Sequence, residues 1–386
     1  MVQNRIMPII LLFLLKVIAF GVGALIVIAT FLSALRTFVL PRSAPDGLNR
    51  FVFITVRYLF ELRIKWLSSF EKRDRAMELY APVCLLSLLV VWLVCIQLGY
   101  LGMIWAVDGQ VLYEAFKISG SSLLTLGFYV VDNLATTILV FSEATIGLVV
   151  IALLIAYLPT IYSAFERREA NVTMLEVRAG SPPSAVEMII RYTRLKRLSE
   201  LNEIWTDWEK WFVDIEESHT SLAALTFFRS PQPHRSWITA SGAVLDAASL
   251  VLSAVDTPRD SQADLCIRAG YLALRYIADL FRIPYKVNPT LADPISISRG
   301  EFEQALDQLA AAGVPLVADR EQAWNDFRGW RVNYDTVLLG LAELVMAPVA
   351  PWSSDRQLKD APQIVLRWRK GKKLVETHEW IPPSNL

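Results

Sequence analysis

From Leu79 to Val107 the chain runs for 29 residues without one charged side chain. A helix of that length exceeds the roughly 20 apolar residues needed to cross a bilayer. Two other stretches meet the same length: Met7 to Leu35, where Lys16 is the only charge, and Ala144 to Phe165, which has none. Three crossings are therefore expected. The first sits where a secretory leader would. Its apolar run is too long for one, however, and ends in Ser33-Ala34-Leu35-Arg36 without a small-residue cleavage site, so it reads as a permanent anchor. Lys16 within it reads as a snorkelling or protein-facing residue.

Composition narrows the class further. The chain is 54% hydrophobic with twelve Trp, more apolar than soluble domains usually are, and 38 basic residues balance 38 acidic ones. No overall positive field draws it to nucleic acid. Cys84 and Cys95 lie in one apolar stretch and Cys266 is far away, which is no disulfide framework.

Lys and Arg flanking the spans set orientation. Arg36, Arg42, Arg50, Arg57, Arg63, Lys65, Lys72, Arg73 and Arg75 fill the first link, against Arg5 before the first span and Lys117 in the second link; Arg167, Arg168 and Arg178 follow the third. The expectation is a multi-pass protein of the cell membrane, N-terminus outside and C-terminal domain cytoplasmic. Within the basic link, Leu48 to Phe70 places Arg50, Arg57, Glu61 and Lys65 on one helical face and apolar residues on the rest. That pattern suits a helix lying in the headgroup plane; a fourth span would carry Arg and Lys at mid-membrane, each at about 2.5–3.5 kcal/mol.

The second link, Asp108 to Asn133, carries the candidate chemistry. Tyr113 to Leu124 has the length of a short helix that enters the membrane halfway, and Ser119-Gly-Ser-Ser-Leu-Leu-Thr-Leu-Gly-Phe128 closes it. Non-helical backbone at that depth survives only inside protein or around a water-filled cavity. Carbonyls of Thr125, Leu126, Gly127 and Phe128 are the expected ligands of a dehydrated cation, with Gly127 supplying backbone freedom and Thr125 a hydroxyl. Glu143, an acid at the outer end of the third span just before Ala144, has two readings: it attracts cations to a pathway, or it hydrogen-bonds Ser121 or Ser122 and supports the loop.

These residues resemble the pore module of potassium channels in its two-helix arrangement, over Leu79 to Arg168. Thr125-Leu126-Gly127-Phe128 stands where the family has Thr-Val-Gly-Tyr. Gly147 stands where these channels often have a glycine hinge in the pore-lining helix, and Pro159, near the inner mouth, is placed to bend that helix into a gate. The resemblance implies a homotetramer around one pathway and a monovalent cation, potassium, as permeant ion, with no cofactor. The family's aromatic is followed by Gly-Asp, whereas Tyr129-Val130-Val131-Asp132 follow here. Weaker discrimination between potassium and sodium is expected.

Beyond Glu166 the composition becomes that of a soluble helical domain. Leu198, Leu201, Trp205, Trp208, Phe212 and Ile215 recur at 3–4 spacing, a seam that either bundles four subunits or is buried in its own domain. Helices are expected over 242–255, 261–282, 299–312 and 320–345, separated by prolines, with a hairpin over 364–380. There is no glycine-rich phosphate loop, His219, His234 and His378 lack metal-ligand spacing, and no nucleophile is paired with a base. His234-Arg235-Ser236-Trp237 reads as a helix cap and packing corner.

The expected fold is an all-α membrane protein: a first span within 1–40, a basic link with an interfacial helix over 41–78, a pore module over 79–168, and a helical cytoplasmic domain over 169–386. The expected function is the pore subunit of a homotetrameric cation channel. The alternative is a membrane-anchored signalling or scaffold protein with a non-conducting pore-like module. An enzyme is not expected.

Overall fold

The computed structural model describes residues 3–40, 46–109 and 111–356. Among them the fold is all-α, with one isolated antiparallel bridge pairing Val255 and Leu316. In chain order the helices are α1 (Gln3–Phe38), α2 (Gly47–Ile64), α3 (Phe70–Glu78), α4 (Tyr80–Asp108), α5 (Leu112–Leu123), α6 (Leu134–Ala179) and α7 (Ala185–Arg194). Then come α8 (Leu201–Ser221), α9 (Trp237–Ala254), α10 (Ser261–Phe281), α11 (Arg299–Ala311), α12 (Arg320–Arg331) and α13 (Asp335–Val345). Four segments, α1, the α3–α4 stretch, α6 and α9, are long and apolar enough to cross a membrane. The hairpin expected over 364–380, His378 and Arg42 lie outside the described residues.

The chain divides into two compact units. The first comprises residues up to 65 together with 79–162. In it α4 is the hub, packed by α1, α2 and α5. Small residues let α1 and α4 approach closely: a Cβ added at Gly99 would stand 2.6 Å from Val27 Cγ2 and 2.7 Å from the Gly23 carbonyl oxygen. Asp46 caps α2 and accepts from the Ser33 hydroxyl, which in turn accepts from buried Trp92 Nε1 at 3.1 Å. Along α2, Val52 and Val56 are buried, and the Tyr80 hydroxyl of α4 donates to the Phe53 carbonyl at 3.1 Å. Arg57 pairs with Glu61 at 2.8 Å, while Phe51, Tyr58, Leu59 and Leu62 are exposed.

The apolar helices of this unit leave much of their surface uncovered by the chain itself. Ile10, Leu11, Leu14 and Ile18 on α1 and Leu86, Val90, Val94 and Leu98 on α4 are exposed. Exposing such a surface to water would forfeit about 25 cal/mol per Å² of apolar area.

The third apolar helix begins at Leu134 rather than near Ala144, because Asn133 caps it: its Oδ1 accepts from Ala135 N at 3.0 Å. On α6, Glu143, Gly147, Val150, Leu154, Tyr157 and Ile161 form a buried stripe at 3–4 spacing. A second stripe, through Leu134, Ile138, Phe141, Leu148, Ile155 and Tyr162 at steps of one or two helical turns, is exposed.

The second unit comprises residues 66–78 and 163 onward. Its centre is α9, in which every residue but Leu252 is buried. The strongly apolar window of α9 is 94% buried inside the protein, so its composition is explained by its own domain. On α8, Leu201, Trp205, Trp208, Phe212 and Ile215 are buried against the same core, and α8 packs on α10. The seam is therefore internal to the domain, and Leu198 lies in a short turn before it.

A single helix over 320–345 was expected, but the structure breaks it at Val332–Tyr334. The buried Arg275 guanidinium donates to the Asn333 carbonyl from Nε at 3.0 Å and Nη2 at 2.8 Å, taking the acceptor that a continuing helix would use. Beside this break, buried Arg331 pairs with Asp246 and with Asp335 Oδ1 at 2.7 Å, and Asp335 Oδ2 accepts from Ser296 N at 2.9 Å.

Candidate functional site

α5 lies between the apolar helices α4 and α6 in sequence, and its observed limits match the expected 113–124 within a residue. Its buried residues, Ala115, Ile118, Ser119, Ser121, Ser122 and Leu123, pack on the rest of the first unit. Three small hydroxyl residues there lend themselves to hydrogen bonding rather than bulk. Ser119 Oγ donates to Glu143 Oε1 at 2.6 Å, Ser122 Oγ donates to the Val140 carbonyl at 2.5 Å, and Ser121 Oγ accepts from Phe128 N at 3.2 Å.

After α5 the chain stops being helical, and residues 124–133 are irregular. Thr125 and Gly127 have positive φ, 54° and 68°, with Leu126 between them outside that region. Alternation of this kind turns successive peptide groups the same way. The amides confirm it: Leu126 N and Gly127 N both donate to the Ser121 carbonyl, at 2.8 and 3.4 Å, and Phe128 N donates to the Ser121 hydroxyl. In a trans peptide the C=O of one residue points opposite to the N–H of the next. The carbonyls of Thr125, Leu126 and Gly127 therefore all point away from Ser121. Among the described residues none of the three accepts a hydrogen bond.

This arrangement is strained at one position and relaxed at the other. Positive φ is free for Gly127, around which a Cβ would meet no atom within 4 Å. For Thr125, which is β-branched, it costs on the order of 1–3 kcal/mol. Three donors converging on Ser121 offset that cost. The side chains of Leu126 and Phe128 are exposed in the single chain.

Beyond Phe128 the segment is held by a second set of groups that the sequence reading did not single out. The Tyr129 hydroxyl donates to Glu114, Glu114 pairs with Lys117 at 2.8 Å, and the Lys117 ammonium lies over the Tyr113 and Tyr129 rings at 4.8 and 5.2 Å. The spacing of Glu114 and Lys117, one helical turn apart, was legible; their meeting with Tyr129 was not. Tyr129 has no positive φ, so the alternation that begins at Thr125 stops after Gly127.

Glu143 is fully buried on the inner stripe of α6. Its partner is Ser119 rather than Ser121 or Ser122, and its Oε2 has no partner among the described residues. Gly147, one turn on, faces the last residue of α5: an added Cβ would stand 2.9 Å from Leu123 Cδ1 and 3.0 Å from the Leu123 carbonyl oxygen. Its lack of a side chain is thus used for close approach to the base of the loop. Pro159 lies exposed within α6, which continues past it without interruption. The structure brings Ser121 against the 125–128 segment and Ser122, Glu143 and Gly147 together where α5 meets α6, and leaves Pro159 apart from them. Among the described residues, no three His, Cys, Asp or Glu side chains are placed to hold a metal ion. No family model matches this chain, and neither a curated protein nor a solved structure matches it.

Proposed function

We propose that this chain is the pore-forming subunit of a homotetrameric cation channel. In this reading α1, α4 and α6 cross the membrane, α5 enters it halfway, and α9, already enclosed by protein, does not. The excess of Lys and Arg in the link after α1 and in the last turns of α6 supports an outside N-terminus and a cytoplasmic second unit.

The observation that carries the reading is the run of three carbonyls, Thr125 to Gly127, turned to one side by amides that all bind Ser121. Unpartnered carbonyls are costly in an apolar setting unless they meet water or a cation. Four copies around an axis would stack them into rings that replace the hydration shell of a monovalent ion, potassium by the resemblance described above. One chain holds one such segment, so closed four-fold symmetry supplies the pathway. The exposed stripe on α6 and the exposed Leu126 and Phe128 give neighbouring copies or lipid an apolar surface to cover. With the alignment ending at Phe128, fewer rings form than in the family, and discrimination against sodium is weaker.

Purified protein reconstituted in liposomes under asymmetric potassium and sodium tests this directly. Cation current from a tetramer is the expected result. A tetramer that passes no ion would favour the scaffold reading with a closed pore-like module, and a monomer would overturn both.

A further inference from the structure

In the second unit, a recess with about 290 Å³ of atom-free space, its open mouth included, lies at the N-terminus of α9. It is lined by Thr226, Arg229, Ser230, Arg235, Ser236 and Trp237, together with residues following α13. Two of its hydroxyls are conspicuous because burial normally demands a partner. Thr226 is 1% exposed and Ser230 is 7% exposed, and among the described residues neither Oγ1 of the first nor Oγ of the second has a hydrogen-bond partner. Arg235 Nε is likewise buried and unbonded. Leaving such a group unsatisfied is costly, and here three belong to one recess.

We propose that this recess binds a small tetrahedral oxyanion of the phosphate class. Among the described residues no carboxylate lines it, while two arginines do, which favours an anion over a cation. The two acids paired with its arginines are not among its lining residues: Asp74 pairs with Arg229 and Glu176 with Arg235. The residues that line it bring donors together: the Thr226 and Ser230 hydroxyls, the Arg235 guanidinium and the first turn of α9. An α-helix leaves its first amides without intrahelical partners and carries partial positive charge at that end. Ser236 caps only one of them, Ile238 N, at 3.4 Å. Hydroxyl, guanidinium and helix amides together match the acceptor-rich surface of phosphate. Much of the 290 Å³ is open mouth, so the enclosed part admits only a compact group, inorganic phosphate or the head of a small monoester.

The position gives the ligand something to act on. Arg235 also donates to Thr173 Oγ1 at 3.1 Å, on the last turns of α6, and Arg229 holds Asp74 of α3 and the Val345 carbonyl at the end of α13, at 2.7 Å. An occupied site would tie these three helices to α9. The inference stands on the second unit alone and does not depend on ion conduction.

The test is calorimetric titration of the full-length protein in detergent with inorganic phosphate, against sodium chloride at matched ionic strength. Saturable binding to phosphate and none to chloride is expected, with at least a tenfold loss of affinity in Thr226→Val/Ser230→Ala and in Arg235→Gln. The hydroxyl variant removes groups that have no partner, so its thermal midpoint without phosphate should equal or exceed that of the wild type. Glycerol 3-phosphate serves as a second probe: comparable or tighter binding supports the same site for a monoester. Absence of saturable binding to both probes overturns the proposal, as does binding that survives both variants unchanged.

Discussion

At the scale of single residues, the candidate filter depends on backbone conformation more than on side-chain chemistry. Gly127 sits at φ 68° with open space where a Cβ would go, so Gly127→Ala meets no steric obstacle and costs only the left-handed penalty of about 1–2 kcal/mol. Loss of flux in liposomes with unchanged oligomer size is expected; undiminished current would remove Gly127 from the filter. Glu143 separates its two readings in the same way. Glu143→Gln keeps an oxygen to accept from Ser119, whereas Glu143→Ala removes it, so flux close to wild type in the first and a collapse in the second mark a supporting role. A tenfold drop in conductance for Glu143→Gln would instead show that its charge acts on the permeating ion. In the second unit, buried His219 donates from Nδ1 to the Ile215 carbonyl at 2.8 Å and accepts at Nε2 from Arg168. Burial first, then the neighbouring guanidinium, hold its pKa well below the usual value. A histidine kept neutral in the folded state binds fewer protons than in the unfolded chain. The domain should therefore lose stability as pH falls below about 6.5, by up to about 1.4 kcal/mol per pH unit. Thermal midpoints of wild type and His219→Gln between pH 5 and 7 check this: the variant should lose that part of the slope, whatever its stability at pH 7.

At the scale of elements, local pattern located the helices and distant partners set their ends. Asn133 and Ser236 extend α6 and α9 toward their N-termini by capping, a short-range effect that propensity alone underweights. The break between α12 and α13 has no such local cause, since Arg275, far away in sequence, withdraws the Asn333 carbonyl. The adjoining Arg331 network, with Asp246 and Asp335, is fully buried, and removing one partner strands a charge. Arg331→Met should lower unfolding stability by about 3–5 kcal/mol, measurable by chemical denaturation. A change below 1 kcal/mol would mean that the two acids are repartnered. Glycines on α4 and α6 act at this scale too: Gly99 and Gly147 let helices meet at backbone distance, a reason for their presence that no periodicity reveals.

At the scale of the whole molecule, the proposed channel predicts a tetramer, and native mass spectrometry of protein in detergent is the direct check. A monomer there, or a mass unrelated to four copies, would leave the aligned carbonyls without partners and the pathway without walls. The amino-acid sequence by itself determined the all-α class, the apolar helices long enough for a membrane, the short helix between two of them and the passage to a helical second unit. These follow from length, charge and periodicity, which are local properties. The tertiary structure decided which way the Thr125–Gly127 carbonyls point, that Glu143 meets Ser119, that the α8 seam is internal and that α9 is enclosed by protein. Each of those depends on where remote donors, acceptors and apolar surfaces come to lie, and that is set by packing rather than by neighbours in the chain.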